Sequence, residues 1–161
     1  MQVKDVMNKE VIRVTPATPL AGLIELFKDF HTFPMVPVVD EKNKLIGKVS
    51  FENLVDVFSP HTADTRRLLR GVPFLDIEEP LNIFKVEITP EMVFLFVVDD
   101  FMDRHVISVH EKQPVEDAYL LMKKDNKDNV PVVNGKGELA GMVGVFNIVL
   151  ALFREKGLLQ K

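Results

Sequence analysis

The residues of this chain that can do chemistry point to binding rather than catalysis. Ser50 and Asn53 set a hydroxyl and an amide three residues apart, types and a spacing that suit a helix cap. His105 and Lys127 carry an imidazole and an ammonium able to meet a phosphate, or simply to face water. Met7 and Met102 are adaptable apolar side chains, fit for core packing or for touching a ligand. Asp99, Asp100 and Asp103 read as a solvated acidic face rather than a cation site. There is no cysteine, so thiolate nucleophiles, thiolate metal sites and disulfides are excluded. His31, His61 and His110 are scattered, and no metal-binding histidine pair, nucleophile elbow or phosphate-cradling glycine-rich loop occurs. The expectation is a protein that is not an enzyme, requires no cofactor and holds no metal.

Composition narrows the partners. The 161 residues are 47% hydrophobic and 27% charged, enough for one ordinary core or two small ones that lean on each other. A net charge of −4 argues against nucleic acid, which asks for a basic surface. Thr65-Arg66-Arg67-Leu68-Leu69-Arg70 is locally basic but reads as a plain amphipathic helix. The longest apolar stretch, Met92–Val98, is far short of the roughly 20 residues a membrane helix needs. The start, Met1–Val6, lacks the basic and apolar regions of a signal peptide. A cytoplasmic protein with no membrane partner is expected.

The elements that must position these residues come from a repeat. Val3-Lys4-Asp5-Val6-Met7 followed by Val11–Val14 resembles Val98-Asp99-Asp100-Phe101-Met102 followed by Val106–Val109. Pro19 matches Pro114, Val36–Asp40 matches Val130–Asn134, Leu45–Val49 matches Leu139–Val143, and Asn53 matches Asn147. Order and spacing hold but for a one-residue slip, which duplication explains and chance does not.

Each copy reads as β-α-β-β-α. Val11–Val14 is β-branched and predicts a strand. Proline then opens a helix, where its missing N–H costs nothing. Leu20, Leu23, Ile24, Phe27 and Phe30 recur at helical spacing and predict a helix over Leu20–Phe30. Val115, Ala118, Tyr119 and Met122 make the matching stripe. Val36–Val39 is a buried-strand run, Asp40–Lys44 a polar turn and Leu45–Val49 the return strand of a hairpin. Asn134–Glu138 is a stronger turn signal. Helices over Phe51–Phe58 and Val145–Glu155 complete the copies. Three short strands bury too little to be comfortable alone. Two copies packed sheet to sheet would bury more and leave a cleft on their pseudo-two-fold axis, a preferred place for ligands.

The expected domains are 1–60 and 96–161, joined by a connection over 61–95. Within it Thr62–Arg70 suits a basic-faced helix that Gly71-Val72-Pro73 breaks. Thr89-Pro90-Glu91-Met92 looks like a helix start, with Thr89 as N-cap and Pro90 at the first position, while the β-branched and aromatic run that follows suits a strand equally well; the helix is the favoured reading.

The repeated order, the Met-containing leader, the Val-Pro-Val-Val-Asp strand and the Gly-apolar-Val return strand resemble cystathionine-β-synthase (CBS) domains, and two in tandem resemble a Bateman module. The resemblance covers both copies. It implies an α/β (α+β) pseudo-symmetric pair, often a homodimer, whose clefts take AMP, ADP, ATP, S-adenosylmethionine or related adenosine compounds. It also implies a regulatory module. With no effector domain in the chain, the regulated partner is expected to be a separate protein. The alternative is a ligand-independent interaction or dimerisation module.

The family's nucleotide signature places Ser or Thr, two residues, then Asp between the last strand and the last helix. The Asp carboxylate accepts from two ribose hydroxyls. Here the matching segments are Ser50-Phe51-Glu52-Asn53 and Gly144-Val145-Phe146-Asn147. Both Asp positions are Asn, which lacks the charge that strengthens such a bond. The second segment also lacks the hydroxyl. The resemblance implies that each cleft joins one signature to the other copy's leader and pre-strand residues. The first cleft would join Ser50 and Asn53 to Met102, His105, Ile107, Lys127, Asp128 and Asn129. It offers hydroxyl, amide, imidazole and ammonium groups and suits a ribose phosphate. The second, expected to be weaker, would join Gly144 and Asn147 to Met7, Glu10, Ile12, Phe33, Pro34 and Met35. It is apolar with one acid, and suits an uncharged planar group.

Overall fold

A computed structural model describes residues 1–31, 34–57 and 89–159. The described elements are α1 (Val3–Val6), α2 (Leu20–Phe27), β1 (Val36–Val39), β2 (Leu45–Val49), α3 (Phe51–Val57), α4 (Pro90–Leu95), a 3-10 turn (Val98–Asp100), β3 (Val109–His110), α5 (Val115–Lys124), β4 (Asn129–Val133), β5 (Leu139–Gly144) and α6 (Val145–Glu155). The predicted helix over Thr62–Arg70 lies outside the described residues.

The chain gathers into two compact units. One holds Met1–Arg13, Pro37–Gly47 and Arg104–Lys161, and the other holds Val14–Val36 and Lys48–Asp103. The leader of the first repeat is thus part of the unit built mainly from the second repeat.

The reason is backbone hydrogen bonding. In the first unit Val3 N donates to Gln113 O at 3.0 Å and Lys4 N to Glu111 O at 2.9 Å. Asn8 and Met142 exchange both backbone bonds, at 2.8 and 2.9 Å. The other unit repeats the pattern. Val98 N donates to Thr18 O and Asp99 N to Pro16 O, each at 2.9 Å, while Lys48 and Asp103 exchange a pair at 2.9 Å. Each leader is a helical turn closed by an aspartate. Asp5 Oδ2 accepts from Gln2 N at 2.8 Å, and Asp100 Oδ2 from Val97 N at 2.9 Å. Val3 and Val98, the first residues of these turns, are wholly buried. That burial is worth about 1.5–3 kcal/mol each and holds the leaders down.

The first unit's sheet has the order β3-β4-β5. β3 runs parallel to β4 with Val109 opposite Val132, and β4 runs antiparallel to β5 with Val130 opposite Val143 and Asn129 opposite Gly144. Pro131 sits mid-strand opposite Met142, whose N–H and C=O are both taken by Asn8. That pair therefore makes no ladder bond, and the proline's missing N–H costs nothing on this side. Val130, Val132 and Val143 meet Val115, Ala118 and Met122 of α5 and Ile148 of α6 in one core, with Val3 and Val109. In the other unit Val14, Leu20, Leu23, Phe27, Val36, Val49 and Val98 are buried.

The hairpin tips match in kind. Asp40 Oδ1 accepts from Lys42 N and Lys44 N at 2.9 and 2.8 Å, and Asn134 Oδ1 from Lys136 N and Glu138 N at 2.9 and 3.1 Å. Each turn then needs one left-handed residue, Asn43 at φ 59° and Gly137 at φ 77°. Asparagine and glycine are the types that enter this region at least cost.

Two expectations are corrected. Val11–Val14 is not a strand: only Val14 is in a bridge, and Ile12 is 41% exposed. In the second repeat the strand is the two-residue Val109–His110 rather than Val106–Val109. Only the last valine of each run reaches a core, so no ladder extends back over the residues before it. The helix expected to reach Phe30 ends at Phe27. Phe30 folds back instead, its ring edge-on to Phe27 with centroids 5.2 Å apart.

Candidate functional site

The two signature segments sit at the joins between a return strand and the helix after it, β2 into α3 and β5 into α6. Such a join leaves the first backbone N–H groups of the helix without intrahelical partners. Asparagine three residues along supplies one. Asn53 Oδ1 accepts from Ser50 N at 2.8 Å and from Ser50 Oγ at 2.9 Å. Asn147 Oδ1 accepts from Gly144 N at 2.9 Å.

These bonds fix which way each amide faces. A backbone N–H must meet an acceptor, so Oδ1 points back to the strand end and Nδ2 points away. A carbonyl oxygen has two lone pairs. At Asn53 both are used; at Asn147 one remains. The amide oxygen of Asn53, expected to stay available for a ligand hydroxyl, is thus already engaged. What Asn53 offers outward is a donor.

The residues expected around the first signature divide between the units. Ser50, Asn53 and Met102 belong to one; His105, Ile107, Lys127, Asp128 and Asn129 belong to the other. Met102 closes the leader turn, its N–H donating to Val98 O at 2.9 Å, and the next residue, Asp103, pairs with Lys48. Their side chains also pair, Nζ to Oδ2 at 3.5 Å. His105 and Lys127 are exposed. Asp128 O accepts from Val145 N at 2.9 Å, which ties the start of β4 to the first turn of α6.

Of the residues expected around the second signature, Met7, Glu10, Ile12, Gly144 and Asn147 share one unit, and Pro34 and Met35 fall in the other. Phe33 lies outside the described residues. Met7 packs against the first unit's core. Its sulfur would stand 3.0 Å from a Cβ on Gly141, and Asn8 O only 2.5 Å. Glu10 and Ile12 are exposed.

Two features escaped the sequence reading. One is the pairing of Asn8 with Met142 and of Asp103 with Lys48, which brings each leader alongside a signature segment. Gly141, a glycine inside a strand, was the available signal of a close backbone approach. The other is the register of Asn129: expected beside the first signature, it stands opposite Gly144 of the second in the ladder.

Among the described residues no group of histidines and carboxylates is arranged to hold a metal, and no helix is long and apolar enough to cross a membrane.

A family model for the CBS domain matches residues 3–60 and 98–154. The chain belongs to the CBS domain family. It is 31% identical over 156 residues to MJ1426, an uncharacterised protein of Methanocaldococcus jannaschii, covering 94% of this chain and 91% of that one. Among solved structures it resembles CBSX2 of Arabidopsis thaliana in complex with AMP. The TM-score is 0.66, with 24% identity over 96% of this chain and 98% of the other. It also resembles the CBS domain pair of MJ0100 in complex with 5′-methylthioadenosine and S-adenosyl-L-methionine. There the TM-score is 0.60, with 22% identity over 97% of this chain and 98% of that one. These likenesses show the fold, a tandem CBS pair of mixed α/β class. Modules of this kind are generally regulatory and non-catalytic.

Proposed function

We propose that this CBS pair is a non-catalytic regulatory module that senses an adenosine-type small molecule and passes the signal to a partner protein. The observation that carries the reading is the paired placement of Asn53 and Asn147. Each matches, by sequence, the position where the family's signature meets ribose, and each has its Oδ1 held by a cap bond, which leaves Nδ2 as the group for a ligand. CBSX2 with AMP, and MJ0100 with 5′-methylthioadenosine and S-adenosylmethionine, support the ligand class. The ligand acts by its differential affinity for two arrangements of the pair, the only way binding shifts an equilibrium. The module works as a cytoplasmic homodimer without a metal or required cofactor. Of the two signatures, the one with Ser50 retains a hydroxyl and is the stronger ribose-phosphate candidate.

Calorimetric titration with AMP, ATP and S-adenosylmethionine tests this. Saturable heat with at least one compound is expected; flat traces with all three rule out the reading.

A second reading, a ligand-independent interaction module, is favoured by one feature. Phe146, Val149 and Phe153 form an exposed apolar stripe on α6, with Phe146 72% exposed. Capture of a partner whose affinity no nucleotide changes would favour it.

A further inference from the structure

Asn129 and Gly144 are cross-strand partners at the end of the β4–β5 ladder. A Cβ on Gly144 would stand 2.3 Å from Asn129 Oδ1, so the Asn129 carboxamide fills the space that a side chain at 144 would need. The same two positions in the first repeat are Met35 and Ser50. There the start of the strand is apolar and the helix entry carries a hydroxyl. In the second repeat the start of the strand is polar and the helix entry carries nothing. The polar group has moved from one strand of the hairpin to the other.

A carboxamide can do what the hydroxyl does, since each both donates and accepts. Asn129 is exposed, and its side chain makes no hydrogen bond among the described residues. Asn147 Oδ1 would lie 3.3 Å from the same absent Cβ, so the two amides flank one spot. Unlike Asn53, Asn147 is not saturated by a neighbouring hydroxyl.

We propose that Asn129 is a specificity-determining residue at this signature. Its carboxamide supplies from β4 the hydrogen-bonding group that a hydroxyl at 144 would supply from β5, and with Asn147 it meets the hydroxyl-bearing edge of an adenosine-type ligand. The proposal rests on the ligand-sensing reading above and adds which side chain replaces the missing hydroxyl.

The test compares adenosine binding by the full chain with that of Asn129→Ala and of the double variant Asn129→Met with Gly144→Ser. The double variant gives the second repeat the arrangement of the first. Asn129→Ala is expected to lower affinity about tenfold, the worth of one hydrogen bond to a ligand. Its melting temperature should stay that of the parent chain, because the side chain is exposed and unbonded. The double variant is expected to recover affinity to within about threefold of the parent. A parent that binds while Asn129→Ala binds equally well overturns the assignment and leaves ligand sensing standing. So does a double variant no better than Asn129→Ala. A parent that binds none of adenosine, AMP, ATP and S-adenosylmethionine removes both, and one that binds a nucleotide but not adenosine overturns the assignment alone.

Discussion

Replacing Asn53 by aspartate isolates the consequence of its cap bonds. Asn53 Oδ1 accepts from Ser50 N at 2.8 Å and from Ser50 Oγ at 2.9 Å, so its outward face is a donor. An aspartate would keep one oxygen on the cap and put the other where Nδ2 now points. Two effects follow. A carboxylate in the first turn of α3 meets the positive end of the helix dipole, which stabilises by about 0.3–1 kcal/mol. A ribose hydroxyl then gains a charged acceptor, worth about 1.4–2 kcal/mol, or ten- to thirty-fold in affinity. Asn147 provides the contrast. Its oxygen accepts only from Gly144 N, so one lone pair is already open to a hydroxyl, and Asn147→Asp should gain less. Calorimetry with adenosine is the suitable assay, because a neutral ligand has no phosphate for the new charge to repel. The expected order is Asn53→Asp tightest, Asn147→Asp next, parent weakest. Equal gains at both positions, or a gain in melting temperature with no gain in affinity at Asn53→Asp, would refute the reasoning.

Other consequences concern stability. Gly141→Ala puts a Cβ 2.5 Å from Asn8 O, which is backbone and cannot swing aside, so a loss of about 1–3 kcal/mol is expected by urea unfolding. Unchanged stability would mean the leader does not lie on β5. Leu23→Ala empties a wholly buried site on α2 and should cost about 2–5 kcal/mol, whereas Phe94→Ala, at 73% exposure, should cost little. Glu91, fully exposed at the start of α4, has its carboxyl held below the usual range by its own backbone N–H and then by the Thr89 side chain. A lowered folded pKa gives stability that is present above the unfolded value and lost as pH falls through the folded one. Amide shifts of α4 should therefore move only on acidification past the ordinary carboxylate range, and Glu91→Gln should abolish that movement.

Much of the fold was legible because some segments carry their own boundaries. β1, β2 and α6 fall where apolar runs meet turn residues, and Asp40–Lys44 and Asn134–Glu138 fold back through the side-chain bonds their types suggest. The start of α4 at Pro90 likewise follows from Thr89-Pro90-Glu91. Val11–Val14 misled because β-branching states a preference for extended backbone but not whether a partner strand lies alongside. The leader pairings are long-range backbone bonds, which leave no mark on side-chain types beyond a glycine such as Gly141. At the signatures the sequence permitted both a cap and a ligand contact for Asn53 and Asn147. The structure makes the cap with the oxygen and leaves the nitrogen outward, a division no one-letter reading contains. Asn129 was visible as a pre-strand residue, but its neighbour Gly144 lies across a hairpin register that only the folded ladder defines.

The most direct test of ligand sensing follows the side-chain amide resonances of Asn53 and Asn147 during an adenosine titration. Asn43 and Asn134 serve as internal controls, because their Nδ2 groups already donate to Leu139 O and Glu138 Oε2. The account predicts saturable shifts at Asn53 and Asn147 and none at the controls. Signals that stay fixed at both asparagines while adenosine binds would contradict it.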